Sequence, residues 1–337
     1  MPNKIIATDD KIFKQIKNLL NCAKSKIATS INTQMVQTYF EIGKIIVEYE
    51  QDGKAKAEYG KATLKELSAR LASEFGKGFS VRNLERMRLF YIKYSKTTTV
   101  STNSQNLQFS LSWSHYVELL KLDDLSRKFY EIEAIKNYWG VREMNRQILS
   151  SLFERLAISK NDTEIKKLSS EGQIIERPDD VIKEPYVLEF LDLEHKKYSE
   201  NELEEKIIDN LESFLLELGK GFSFVGRQKR FSFENDHFYV DLVFYNRLLK
   251  CFVLIDLKLD KLKHQDLGQM QMYVNYYDRF EKLPEENPTI GILLCKKRNK
   301  TIVEMTLPEK HNIYAKEYQL YLPSKEQFEE QINKVIE

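Results

Sequence analysis

The stretch FYVDLVFYNRLLKCFVLIDLKL, residues 238–259, constrains the fold more than any other part of the chain. Two runs rich in β-branched and aromatic residues, 237–246 and 250–259, read as strands of a hairpin with its turn near 247–249. Each run stays apolar on both faces, as strands inside a covered sheet do. Yet they contain Asp241, Asp256 and Lys258. Side chains alternate along a strand, so Asp256 and Lys258 share a face. A turn centred on Leu248 and Leu249 sets Asp241 opposite Asp256. Facing carboxylates repel, and burying them adds a desolvation cost. A hard divalent cation held by oxygen ligands, Mg²⁺ or Mn²⁺, removes the repulsion. Lys258 beside it can orient or help deprotonate a water and stabilise charge on a phosphate. A buried Asp256–Lys258 ion pair that only holds the sheet is the competing explanation, and it leaves Asp241 unexplained.

Around this hairpin the pattern predicts a helix over 201–219 closed by Gly219, strands at 222–233 and 289–295, and a helix over 264–281. A fifth strand is expected at 314–322 and a terminal helix at 324–336. Before residue 160 the periodicity is helical: 10–50, 61–75, 81–94 and 112–157. The turn GKGFS, with Ser80 able to cap the next helix, makes 61–94 a helix-turn-helix layout. The polar stretch 96–106 reads as a mobile loop. Pro178, Pro185 and dense charge mark a boundary. The expected domains are therefore a helical 1–160, a linker 161–198 and a second domain 199–337.

Charge divides the same way. Residues 1–160 hold 26 Lys+Arg against 17 Asp+Glu, or +9; residues 161–337 hold 26 against 34, or −8. A basic half suits an anionic polymer. On the helix 80–94, Arg82, Arg86 and Lys93 form one stripe opposite Leu84, Met87 and Tyr91. It could lie against DNA with salt-sensitive phosphate contacts, or be a solvated face of a scaffold or dimerising helix. Gln228 and Arg230 alternate along strand 222–233, towards the same cleft or towards solvent. Three separated cysteines argue for a reducing compartment and against a zinc cluster. No apolar run is long enough to span a bilayer and no signal-peptide layout opens the chain, so a cytoplasmic location without membrane contact is expected.

Asp241, then fourteen residues, then Asp256-Leu257-Lys258 on the next strand resembles the D…(D/E)xK signature of the PD-(D/E)XK nuclease superfamily. The order of elements is similar to its restriction-endonuclease-like αβββαβ core. The phrases NLESFLLELGKGFSFVGRQKRF, FYVDLVFYN, DLGQMQMYVNYYD, LSARLASEFGKGFSVRNLERMRLFY and YWGVREMNRQILSSLFERL look like the YhcG-type bacterial nucleases, which join an all-helical domain to a nuclease domain. The resemblance implies a metal-dependent enzyme that hydrolyses DNA phosphodiester bonds. Asp241 and Asp256 would hold the metal, Leu257 would offer its backbone carbonyl, and Lys258 would be the catalytic amine. The superfamily often adds a Glu from the preceding helix. Helical spacing selects Glu204, on the face of Ile207, Ile208 and Leu211, over Glu205. Gln269 and Tyr273 are similar to the Q-x-x-x-Y element of RecB-like nucleases. Asp256 stands where the superfamily more often has Glu. The alternatives are a non-catalytic DNA-binding or interaction protein that keeps the fold, and an RNA-processing enzyme; self-association is left open.

Overall fold

A computed structural model describes residues 3–51, 57–95, 109–158, 160–193, 197–233, 236–308, 311–321, 323 and 327–328. The chain divides into two compact units, Met1–Arg146 and Gln147–Glu337. The loop read at 96–106 lies outside the described residues, as does most of the terminal helix expected at 324–336.

The first unit is helical. Helices α1 (Asn3–Gln51), α2 (Ala57–Phe75), α3 (Val81–Ser95), α4 (Trp113–Leu119) and α5 (Asp124–Lys136) precede α6 (Val141–Leu149), which crosses the unit boundary. The C-terminal part of α1 meets α3 where Gly43 leaves no room for a side chain: a Cβ there would lie 2.0 Å from the Met87 carbonyl oxygen. Ile46, Leu64, Leu84 and Met87 make a core between α1, α2 and α3. A 3-10 turn, Lys77–Phe79, links α2 to α3, with Ser68 Oγ donating to the Phe79 carbonyl at 2.9 Å. The stretch 112–157 is helical as expected and is divided into separate helices. Tyr138 and Ser151 adopt φ of 54° and 51°, outside the helical region.

In the second unit, α7 (Leu152–Ala157) and α8 (Asp162–Glu171) precede β1 (Tyr186–Val187), α9 (Glu200–Asp209), α10 (Leu211–Leu218), β2 (Phe222–Phe233), β3 (Asp236–Asn246), β4 (Cys251–Lys261), α11 (His264–Tyr276), β5 (Ile290–Lys297), α12 (Lys300–Thr306) and β6 (Ile313–Gln319). The sheet order is β1-β6-β5-β4-β3-β2. β2, β3 and β4 are antiparallel neighbours, while β4, β5, β6 and β1 run parallel. From α9 to β5 the chain follows the expected αβββαβ order. The segment read as a linker is structured instead: β1 pairs with β6, and Val181, Ile182, Leu188, Leu191 and Leu193 enter the core. Its prolines and charges masked these short apolar stretches. The helix expected over 201–219 is split at Asn210, whose side chain donates to the Lys206 carbonyl at 3.0 Å, a local bond that competes with helix continuation.

One core lies on the α9–α10 side of the sheet and the other on the α11 side. The hairpin turn joining β3 to β4 is built on Asn246, whose Oδ1 accepts from the Leu248 and Leu249 amides at 3.0 and 3.1 Å. This fixes the register at Leu242 opposite Ile255, centring the turn on Leu248 and Leu249 as expected. The strands then turn over. Leu242 and Phe244 belong to the first core, but Val240 and Phe238 belong to the second. Simple alternation puts all four on one side. The reversal falls at Asp241, and opposite it on β2 at Gln228, which has φ of 46°.

Candidate active site

The described ladder between β3 and β4 ends at Leu242 and Ile255. Beyond it Asp241 occupies the opening, and its Oδ2 accepts from the Leu257 amide at 2.9 Å. Asp241 thus replaces the main-chain acceptor that a continuing strand would supply. The Leu257 side chain is fully buried in the first core, so only its backbone faces the acids. Asp256 projects on the α11 side and is 2% exposed. Its Oδ2 makes no aligned hydrogen bond; the Lys258 ammonium stands 2.7 Å away as an ion pair. Burial pushes the Asp256 carboxyl up to about 7, the charge of Asp241 adds to this, and Lys258 opposes it. For Lys258, burial acts to lower the ammonium pKa, but the Asp256 charge overrides it, and the net direction is upward. Lys258 is therefore a cation at neutral pH.

Glu204 on α9 is buried and Glu205 is exposed, as the helical spacing requires. Gln228 Nε2 donates to Glu204 Oε2 at 2.5 Å and to Asp241 Oδ1 at 3.1 Å. Burial raises the Glu204 carboxyl above the usual carboxylate range; the Gln228 hydrogen bond opposes this and the Asp241 charge adds to it. On α11, Gln269 Nε2 donates to the Tyr273 hydroxyl. Tyr273 is 1% exposed, and burial pushes its hydroxyl up to about 12, with the Asp256 charge contributing next. It stays a neutral hydroxyl beside the acids.

Sequence reasoning missed Glu200. It lies one turn before Glu204 on α9, with Oε2 3.9 Å from Lys258 Nζ and Oε1 accepting from the Leu259 amide at 3.2 Å. The four-residue spacing to Glu204 was the available signal. Glu200, Lys258, Asp260, Lys261, Lys263 and Asp266 line a cleft of about 190 Å³.

The remaining expected residues lie elsewhere. Gln228 holds two acids rather than lying along an open face. Arg230 is exposed, its Nη2 3.1 and 3.0 Å from the ring nitrogens of His237. On α3, Arg82 is exposed and Arg86 half-buried. Lys93 is not part of a free basic stripe: its ammonium donates to the Leu120 and Leu122 carbonyls at 2.9 and 2.6 Å, after α4 ends.

The donors suit a hard cation. Carboxylates from β3 and β4 meet where the two strands part, and the buried one, Asp256, has the Lys258 ammonium as its close counter-charge. Among the described residues, no three His, Cys, Asp or Glu side chains form a ready metal cage. An ion here would rest on two carboxylates and water, the usual mode for Mg²⁺.

Such a sheet, with acids and an amine at the parting of two central strands, defines a PD-(D/E)XK-type nuclease fold. Residues 179–333 match the YhcG PDDEXK nuclease domain and residues 15–155 the DUF1016 N-terminal domain. The chain is 36% identical over 349 residues to a protein of Escherichia coli (strain K12) named "Putative nuclease YhcG", covering 96% of this chain and 93% of that one. It belongs to this family of two-domain nucleases. Among solved structures it is similar to a repair endonuclease from Pyrococcus abyssi, with 20% identity, TM-score 0.26, and 39% of this chain and 50% of that chain covered. A complex of EndoMS with double-stranded DNA gives 18% identity, TM-score 0.27, and coverage of 39% and 49%. Among the described residues no helix is long and apolar enough to cross a membrane.

Proposed function

We propose that the chain is a cytoplasmic, divalent-cation-dependent endonuclease that hydrolyses DNA phosphodiester bonds, with Mg²⁺ or Mn²⁺ as the ion. The observation that carries this reading is Asp256, a buried carboxyl that faces a second acid and has a lysine at 2.7 Å. As scaffold alone, this cluster costs desolvation without gaining a balanced pair.

Asp241 and Asp256 would hold the ion at the mouth of β3 and β4, with the Leu257 main chain beside them and Glu204 reaching the cluster through Gln228. Once bound, such an ion lowers the pKa of a water and draws charge from a phosphate. Lys258, being protonated, stabilises negative charge on the phosphate and does not take the proton from the attacking water. Tyr273, oriented by Gln269, offers a neutral hydroxyl donor on the α11 side. The helical unit serves as a DNA-contacting or assembly module. Arg82 and Arg86 are its candidate phosphate contacts, and exposed Arg230 is one in the nuclease unit.

The test incubates the protein and an Asp256→Asn variant with supercoiled plasmid, single-stranded DNA and RNA in Mg²⁺. Nicking of DNA by the wild type alone supports the reading. Equal cleavage by both proteins defeats it, and a preference for RNA moves it to RNA processing. One observation favours a second reading, a DNA-binding protein without catalysis: the described residues form no ready three-ligand cage. That protein would retard DNA in a gel, more weakly as salt rises, and never nick it.

A further inference from the structure

Gln228 lies inside strand β2 with φ of 46°, in the left-handed region that favours glycine. The ladder continues on both sides of it, with Arg227 opposite Leu242 and Lys229 opposite Val240. Glycine would relieve the strain, so what a glutamine contributes here lies in its side chain. That side chain ends between two acids from different elements. Its Nε2 donates to Glu204 Oε2 at 2.5 Å and to Asp241 Oδ1 at 3.1 Å. Ionised carboxylates only accept, which directs the NH₂ rather than the carbonyl of the amide towards both. Glu204 comes from helix α9 and Asp241 from the strand. Their charges repel, and Asp241 is among the influences that raise the Glu204 carboxyl. The carboxamide offsets this repulsion and ties the helix acid to the strand acid.

We propose that Gln228 is the positioning residue of the acid cluster: its left-handed backbone aims the carboxamide between Asp241 and Glu204, and this link sets the affinity of the cluster for a divalent cation. The proposal rests on reading the cluster as a cation site. It assigns Gln228 a task distinct from contacting nucleic acid. The reversal of β2 and β3 at the Gln228–Asp241 pair is the device that brings both side chains to the mouth of the sheet.

A double-mutant cycle on the full-length chain tests it, combining Gln228→Gly with Glu204→Ala. Two readouts are used: melting temperature in a chelator and Mn²⁺ affinity by titration calorimetry. Gln228→Gly suits the left-handed backbone and removes the bridging amide, so it is expected to fold and to melt a few degrees below the wild type in chelator. It is expected to bind Mn²⁺ roughly tenfold more weakly, the scale for losing an outer partner of a metal ligand. Adding Glu204→Ala should weaken binding little further, and the double variant's melting shift should depart from the sum of the singles. Gln228→Asn, which tolerates the same backbone and keeps an amide, should recover part of the affinity. Wild-type Mn²⁺ affinity in Gln228→Gly, while Asp256→Asn loses binding, would overturn the proposal, as would additive melting shifts. Absence of Mn²⁺ uptake by the wild type would instead overturn the cation-site reading; coupling in melting temperature then still decides whether Gln228 links the two acids.

Discussion

Arg155 and Glu217 form one buried ionic cluster of the second unit; Asp241, Asp256 and Lys258 form another. In the first, each charged group meets a hydrogen-bonding partner. Arg155 pairs with Glu217 and donates through Nε to the Ser150 carbonyl at 2.8 Å. Glu217 Oε1 also accepts from the Val187 amide at 2.8 Å, and the Lys183 ammonium donates to the Glu217 carbonyl. None of the side-chain polar atoms of this cluster is left without a partner. It joins α7, β1 and α10. In the second cluster, Asp256 and Glu200 flank Lys258, while Asp241 and Glu204 share the Gln228 amide, so four acids outnumber the lysine ion-paired among them. A fully partnered buried pair is scaffold, whereas a surplus of one sign at a sheet mouth is a demand for a ligand of the other sign.

The two clusters should therefore fail in opposite ways. Asp256→Asn is expected to lower DNA cleavage about 10⁴-fold, roughly 5.5 kcal/mol of transition-state stabilisation. Melting without divalent cation should not fall, because the substitution removes a strained carboxyl. Single-turnover cleavage and calorimetric melting check this. A variant that cleaves normally, or that unfolds in step with its lost activity, would erase the contrast.

Glu217→Gln reverses the pattern. It strands the Arg155 guanidinium, 1% exposed, without its counter-charge. The expected cost is about 3 kcal/mol of stability, read by denaturant titration. Cleavage per folded molecule should be unchanged. A fall in that specific rate with intact stability would show that the scaffold cluster also serves the chemistry.

How much of this was legible follows from what each residue's pattern encodes. The β2, β3 and β4 runs were readable from β-branched and aromatic density, and the turn centre at Leu248–Leu249 set the register. Glu204 was legible because a helix buries one stripe and wets the other. The strand reversal at Gln228 and Asp241 was not, because a strand apolar on both faces carries no periodic mark of which side is which. β1 was hidden because two residues cannot show alternation, and its partner β6 lies more than 120 residues away. Lys93 misled because a helical wheel shows which residues share a stripe and not what packs against it. Here a distant chain segment brings the Leu120 and Leu122 carbonyls to its ammonium.

The pH dependence of stability sharpens the comparison on a smaller scale. The Asp256 carboxyl sits at about 7 in the folded protein against an ordinary 3.8. Between those values the folded state keeps a proton that the unfolded state has released. Raising pH through this window strips that proton and lowers stability. In Asp256→Asn the loss should vanish, so the difference between the two pH–stability curves between pH 4 and 7 is the measurement. Parallel curves would mean that Asp256 is not held in a raised state. Adding Mg²⁺ above pH 7 should restore stability to the wild type and not to the variant.

The smallest effects separate the lysine and arginines of α3. Arg82→Ala and Arg86→Ala should each weaken DNA binding by about 1 kcal/mol and reduce the slope of log affinity against log salt by about one. Lys93→Met should leave that slope unchanged, because its ammonium already serves the Leu120 and Leu122 carbonyls. It should instead lower the melting temperature of the helical unit, since those two carbonyls lose their donor. Binding isotherms at several salt concentrations, run beside thermal melts, distinguish the two. A Lys93 variant that lost a phosphate's share of the salt slope would return Lys93 to the DNA-facing stripe, and an unchanged slope in the Arg82 variant would remove α3 from the DNA contact altogether.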